Sequence, residues 1–197
     1  MRVKLLLLLL IVLAIGAGWA ETLSFEMVGA KCLFLDTTPL NNQFALDGVT
    51  FSGGGTALNR CANFAVAPHS GTDLLAFHIF GYGTGPEVIT FADPVSSVSI
   101  WVTSTAGDDT FRLIDNNGLS ASVLALNSVW AQLTLMGPAF TQVTLSEQGG
   151  KYLWLADDLT WTSAASEQPS PVPEPNMLAL MGTGFGLIGT MAKRFRG

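Results

Sequence analysis

Residues 110–126 read TFRLIDNNGLSASVLAL, which is two segments of strand length on either side of Asn116-Asn117-Gly118. Asn-Gly pairs tolerate the positive φ angles that tight hairpin turns require. The stretch therefore predicts a β-hairpin. It is the strongest such signal in the chain, and it indicates that the surrounding segments are strands as well.

Further strand-length segments, rich in β-branched and aromatic residues, lie at short intervals on both sides of this hairpin. The predicted strands are 23–28, 48–51, 74–80, 88–91, 95–102, 110–114, 131–135, 140–145, 152–155 and 159–162. Turn-forming residues separate them, and no convincing amphipathic helix is present. This pattern predicts an all-β domain, an antiparallel β-sandwich over residues 21–163.

The charge of this domain is strongly negative. Between residues 21 and 165 there are four Lys and Arg residues and thirteen Asp and Glu residues, so the formal charge is 4 − 13 = −9. Such a domain repels nucleic acid and anionic lipid, which excludes both as expected partners. Although 49% of the residues are hydrophobic, most of the excess lies in the two terminal segments.

The N-terminal segment has the features of an export signal. Arg2 and Lys4 precede an unbroken apolar run at 5–15, and small residues flank Trp19 in Gly18-Trp19-Ala20. The sequence therefore predicts a signal peptide over residues 1–20, cut by signal peptidase before Glu21. In an oxidising compartment, Cys32 and Cys61 are expected to form a disulfide rather than a metal site.

The C-terminal segment has three consecutive parts after a Ser- and Pro-rich linker at 164–171. Pro173-Glu174-Pro175 is followed by an uncharged apolar run at 177–192 and then by a basic end at 193–197, which carries Lys193, Arg194 and Arg196. At about 1.5 Å per residue, a helix over 177–192 covers about 24 Å, less than a hydrocarbon core of about 30 Å. We expect a short transmembrane helix with the basic end in the cytoplasm and the domain outside.

This arrangement over residues 172–197 resembles the PEP-CTERM sorting signal of Gram-negative bacteria, with Val172, Pro173, Glu174 and Pro175 as the motif. The resemblance implies that exosortase processes the tail at the inner membrane. The protein would then pass to the cell envelope, cell surface or extracellular matrix, in association with exopolysaccharide. The alternative is a permanent C-terminal anchor that keeps the domain in the periplasm.

Three stretches resemble jelly-roll modules of exported bacterial proteins: NQFALDGVTFSGG at 42–54, FADPVSSVSIWV at 91–102 and DDLTW at 157–161. Related modules often hold a structural Ca²⁺ between an acid near the last strand and oxygens of an N-terminal loop. The resemblance implies a calcium site from Asp158 and Asp157 with Asp47 or Asp36 and carbonyls around Asn41-Asn42, because calcium prefers six to eight oxygen ligands. The alternative is that these acids cap turns.

No catalytic constellation is evident, and the sequence predicts a protein that is not an enzyme. His69 and His78 have no metal-binding spacing, and no GxSxG motif occurs. Paired carboxylates occur at Asp108-Asp109 and Asp157-Asp158. In a strand, neighbouring side chains point to opposite faces. We therefore expect neither pair to form an acid–base couple.

Two molecular roles remain open. A structural matrix protein needs only a stable, acidic, disulfide-bonded fold and a route to the surface. A carbohydrate-binding module needs exposed aromatic rings, and the candidates are Trp101, Trp130, Trp154, Trp161 and Tyr82. Tryptophans in a sandwich are more often buried or partly buried. The sorting resemblance favours the structural role.

Overall fold

A computed structural model describes residues 19–27, 29–32, 39–62, 66–77, 86–149 and 154–164. These residues form nine strands, two 3₁₀ turns (Ala45–Asp47 and Arg60–Ala62) and no α-helix. The strands are β1 Ala20–Leu23, β2 Val49–Ser52, β3 Thr56–Asn59, β4 Asp73–Ala76, β5 Glu87–Ser104, β6 Asp109–Asp115, β7 Ser120–Ala125, β8 Ala131–Glu147 and β9 Trp154–Ser163. The chain divides into two units, Met1–Ala165 and Ser166–Gly197, and every described residue belongs to the first.

The strands are hydrogen-bonded in the order β3-β4-β9-β5-β8-β6-β7, with β1 beside β9 and β2 beside β5, and all of these pairs are antiparallel. The long strands β5 and β8 belong to both layers of the fold. The first part of β5 pairs with β2, and its second part pairs with β9. Its register with β8 shifts between Thr90 and Val95, around Pro94. Bulges of this kind bend a strand, so one continuous ladder can fold over on itself.

Ring contacts show that the two layers pack face to face. Phe111 on β6 meets the edge of Trp154 on β9 at 5.8 Å, although β5 and β8 separate these strands in the sheet order. The contact therefore crosses the interior. Phe77 stacks on the same Trp154 at 4.1 Å. Each large apolar side chain buried here stabilises the fold by about 1.5–3 kcal/mol. The predicted antiparallel β-sandwich is confirmed.

The predicted hairpin is confirmed as the connection between β6 and β7. The backbone N–H of Asp115 donates to Leu119 at 2.9 Å, and Gly118 takes a φ of 89°. The Asp115 carboxylate accepts hydrogen bonds from the N–H groups of Asn117 and Leu119 at 2.9 and 2.8 Å. The turn is thus held by its own side chain as well as by its backbone.

Several strand boundaries differ from the prediction. Segments 88–91 and 95–102 belong to one strand, β5, and segments 131–135 and 140–145 to β8, because bulges keep the ladder continuous where the sequence suggests a break. Strand β3 was not predicted. The first strand is Ala20–Leu23 rather than 23–28, since Phe25 takes a φ of 60° and cannot continue an extended strand.

Cys32 and Cys61 form the predicted disulfide, with their Cα atoms 5.0 Å apart. The bond links the segment after β1 to the 3₁₀ turn Arg60–Ala62. The disulfide closes a loop of 29 residues. On the chain-entropy account, a disulfide that closes such a loop stabilises the fold by about 3–4 kcal/mol.

Among the described residues there is no helix long and apolar enough to cross a membrane. The predicted signal peptide (except Trp19 and Ala20), the linker (except Ala164), the sorting motif, the helix at 177–192 and the basic tail all lie outside the described residues.

Candidate functional site

A β-bulge in β9 builds the most distinctive polar and aromatic cluster of the described domain. Ser99 of β5 pairs with Thr160, but Trp101, two residues further on, pairs with Asp157, three residues back. The extra residue on β9 interrupts the alternation of side chains, and Asp158 takes a φ of 47°. We call His69, Ser70, Trp101, Trp130 and Asp158 the Trp101 surface.

The bulge corrects the expectation that Asp157 and Asp158 point apart. Ser70 reaches both carboxylates, since its N–H donates to Asp157 at 3.0 Å and its hydroxyl donates to Asp158 at 2.6 Å. The N–H of Asp158 also donates to the Asp157 carboxylate at 2.8 Å. Both acids therefore converge on the loop that precedes β4, although they are neighbours in a strand.

The environments of the two acids differ. Asp157 is completely buried, while the side chain of Asp158 keeps 16% of its surface exposed. Burial raises the pKa of Asp157 to about 6; the hydrogen bonds from Ser70 and Asp158 oppose this, and the nearby charge of Asp158 adds to it. Asp157 is a structural acid beneath the site, whereas Asp158 is accessible from outside.

His69 connects the acid to the aromatic rings. Its Nδ1 lies 2.6 Å from the Asp158 carboxylate, and its ring stacks on Trp101 with centroids 4.0 Å apart and planes 17° from parallel. Trp130 meets His69 edge-on at 5.8 Å and anchors its own indole N–H on the carbonyl of Ala67 at 3.0 Å. The result is a fixed three-ring surface on the outward side of the sheet.

Polar side chains continue this face of the sheet. Register places Gln132 beside Trp101, and Thr134 and Thr160 on either side of Ser99. Hydroxyl and amide groups therefore lie next to the rings, all facing away from the core. Such a face offers both stacking and hydrogen bonding to a ligand.

The cluster does not have the geometry of a hydrolase triad. In that arrangement the histidine stands between the nucleophilic hydroxyl and the acid, so that it can take the proton of the hydroxyl. Here Asp158 stands between His69 and Ser70, and the Ser70 hydroxyl donates to the acid. The second acidic pair also separates, since Asp109 is buried and bonded to Gly149, while Asp108 binds the N–H of Asn127.

The four candidate tryptophans divide evenly between the core and the surface. Trp154 and Trp161 are buried, with 4% and 5% of their surface exposed, whereas Trp101 and Trp130 are half-buried. Tyr82 and His78 lie outside the described residues. Sequence reasoning missed His69 and Ser70, because their partner Asp158 lies 88–89 residues away and no local motif marks the contact.

The predicted calcium donors are not brought together. Asp47 lines a cavity of about 640 Å³ with three other acids, Glu21, Glu26 and Asp93, whereas Asp157 and Asp158 bind Ser70 and His69. Within the described ranges, no three His, Cys, Asp or Glu side chains form a group that could hold a metal ion. The described donors thus do not fit calcium as they stand, and the site remains a prediction.

Comparisons with known proteins give similarities of fold only. No family model matches the chain, and no curated protein matches its sequence. The K1 cleaved adhesin domain of Lys-gingipain from Porphyromonas gingivalis W83 is 13% identical, with a TM-score of 0.46 over 74% of this chain and 99% of that domain. The K2 adhesin domain of Lys-gingipain is 15% identical, with a TM-score of 0.47 over 73% and 99%.

A third solved structure, the CBM22-1 xylan-binding domain of Paenibacillus barcinonensis Xyn10C, is 18% identical, with a TM-score of 0.45 over 77% of this chain and 99% of that domain. At this level of similarity, the ligands of those proteins do not carry over to this chain. The assignment as a sandwich rests on the strand pairing and core contacts described above.

Proposed function

We propose that this chain is an exported envelope protein whose sandwich domain binds a polysaccharide at the Trp101 surface. The observation that carries the proposal is the stack of His69 on Trp101, with Trp130 at its edge, on the outward face of a sheet. Aromatic rings supply large, rigid contact area, and the neighbouring hydroxyl and amide groups supply orientation. Sugar rings present both an apolar face and hydroxyl groups, so they match this combination.

The charge of the domain narrows the ligand class. A formal charge of −9 over residues 21–165 repels polyanions, and Asp158 is part of the surface itself. We therefore infer a neutral polysaccharide rather than a uronic-acid or sulfated one. The proposed role is binding without catalysis, since the Ser70 hydroxyl is committed to Asp158.

Affinity for purified neutral and acidic exopolysaccharides tests this role, measured by titration calorimetry with the exported protein. Trp130→Ala should weaken binding by at least about tenfold, because alanine substitution of a stacking aromatic typically costs more than about 1.4 kcal/mol. Leu46→Ala is the matched control, because Leu46 is fully exposed and lies beside the cavity that Asp47 lines, not at the Trp101 surface. Equal affinity of the unchanged protein and Trp130→Ala would contradict the proposal.

A structural matrix protein is the second candidate function. It is favoured by the acidic domain and its disulfide, which suit a persistent extracellular fold without a ligand. Such a protein would show no affinity for any of the polysaccharides. The same calorimetric series therefore separates the two roles.

We further propose that exosortase processes the tail at Val172, Pro173, Glu174 and Pro175, and that Lys193, Arg194 and Arg196 hold it in the inner membrane beforehand. The support is the order of motif, apolar run and basic end. The intact mass of the protein from a bacterium with an exosortase tests this. A chain from Glu21 to near Pro175 is expected, whereas retention of residues 176–197 would mean a permanent anchor.

A further inference from the structure

The longest uncharged segment of the sandwich domain includes β7, which ends the sheet order, and most of β8, which lies between β5 and β6. Residues 116–146 contain no Asp, Glu, Lys, Arg or His. They cover the β6–β7 turn, all of β7 (Ser120–Ala125), the connection to β8 and almost all of β8. In a domain with a formal charge of −9, this is the region where a second acidic molecule meets the least repulsion.

Exposed apolar side chains concentrate in the same region. Seven large hydrophobic side chains are exposed among the described residues, and five of them lie between positions 119 and 136. These five are Leu119, Leu124, Leu126, Val129 and Met136, each with 41–71% of its surface exposed. They lie on β7, in the connections on either side of it and on β8. Apolar side chains that are exposed together mark a contact surface more often than ones that are scattered singly.

The backbone of β7 adds a second kind of contact. Of the described strands, only β6 pairs with β7, and β7 ends the sheet order. Within the described ranges, no strand pairs with its other side. Edge strands are usually protected by charges, proline or bulges, but the sequence of β7, SASVLA, contains none of these residues and pairs with β6 without a register shift.

We propose that β7 pairs antiparallel with β7 of a second copy of this chain, which joins two sandwiches through one continuous sheet. An antiparallel strand pair is self-complementary about a two-fold axis, as an isologous dimer requires. Residues that lie directly opposite each other in a strand pair point to the same face of the sheet. A residue can therefore lie opposite its own copy but not opposite its neighbour in the chain. The two-fold axis thus passes beside one residue near the middle of β7, Ser122 or Val123. With Ser122 on the axis, Ala121 of each copy faces Val123 of the other.

Several features favour a second copy over another partner. No Asp, Glu, Lys or Arg lies in β7, so two copies can pair along this strand without placing like charges of β7 opposite each other. The inward residues Ala121 and Val123 already pack against the core. Pairing would therefore extend the apolar interior of one copy into that of the other, while the exposed leucines cover the seam.

Sedimentation velocity of the protein recovered from the periplasm of an exporting host tests the proposal. The unchanged protein should sediment as a dimer. Leu124→Lys should convert it to a monomer, whereas the matched substitution Leu46→Lys, at a leucine exposed on another part of the domain, should leave the dimer intact. Melting temperatures of both variants check that folding is retained.

A second variant probes the two-fold axis without removing an apolar side chain. Ser122 lies opposite Arg112 within one copy, so Ser122→Glu should be accommodated in the monomer. Across the axis two glutamates would face each other, and the dimer should dissociate. A monomeric unchanged protein, or dimers that persist in both Leu124→Lys and Ser122→Glu, would overturn the proposal. So would a monomer that binds neutral lipid vesicles through Leu124, since the apolar segment would then serve a membrane.

Discussion

The protonation of the buried Glu87 carboxyl should make the stability of this fold depend on pH. Glu87 begins β5 and is completely buried. One carboxylate oxygen accepts the N–H of Gly55 at 3.0 Å, and the other has no hydrogen-bond partner within the described part of the chain. Burial raises the pKa of Glu87 from 4.5 to about 7, against the opposing effect of the bond from Gly55.

A raised pKa in the folded state means that the folded protein binds more protons than the unfolded chain between about pH 4.5 and 7. The free energy of unfolding therefore falls as the pH rises through this window. At about 1.4 kcal/mol per pH unit, Glu87 alone lowers the free energy of unfolding by about 2–3 kcal/mol between pH 5 and pH 8. Asp157, with its pKa raised to about 6, acts in the same direction.

Glu87→Gln isolates this contribution. The amide carbonyl can keep the bond to Gly55, and the side chain no longer titrates. The loss of stability from pH 5 to pH 8 should then shrink by about 2–3 kcal/mol, and the variant should be more stable than the unchanged protein at pH 8. Urea unfolding followed by tryptophan fluorescence at several pH values measures both quantities.

Glu21→Gln is the control for net charge, because it removes the same charge at an exposed position of β1. It should leave the pH dependence close to that of the unchanged protein. If Glu87→Gln and the unchanged protein lose stability in parallel across the same range, the buried carboxyl is not held in its protonated form and the reasoning is wrong.

Three further predictions follow from particular contacts. Cys61→Ser should lower the free energy of unfolding by about 2–4 kcal/mol because the disulfide is lost; addition of a reductant to the unchanged protein should give the same drop in urea midpoint. Gly55→Ala should lower the free energy of unfolding by about 1–3 kcal/mol, because a Cβ there would lie 2.7 Å from side-chain carbons of Leu75 and Phe77. A melting temperature equal to that of the unchanged protein would refute this close packing. If Asp158, Asp157 and Asp47 hold a calcium ion as the sequence predicts, millimolar Ca²⁺ should raise the melting temperature, and an unchanged melting temperature would refute the site.

Local signals were sufficient for the hairpin and for the class of fold. Asn116-Asn117-Gly118 predicted its turn correctly, because the requirement for a positive φ at Gly118 is a property of the backbone itself. The disulfide was predictable from the number of cysteines and the expected compartment. Strand ends were less predictable, since bulges near Pro94 and at Asp158 depend on the partner strand rather than on the residues themselves.

The candidate site was beyond local reasoning. Trp101 and Trp161 are both strand tryptophans, yet one lies on the outward face beside His69 and the other lies in the core. Strand alternation would also have separated Asp157 from Asp158. The bulge reverses this, because one extra residue in β9 turns both carboxylates towards Ser70.

The sequence by itself determined the strand content, the principal turn, the acidic charge of the domain and the resemblances at its two ends, because each depends on composition or on neighbours along the chain. Only the tertiary structure decided which aromatic rings are exposed, which acids are buried and in which order the strands pair. These properties arise where segments distant in the chain meet: His69 reaches Asp158 across 89 positions, and the buried Glu87 is bonded to Gly55, 32 positions away. Pairing and burial of that kind are set by packing, on which local sequence patterns carry little information.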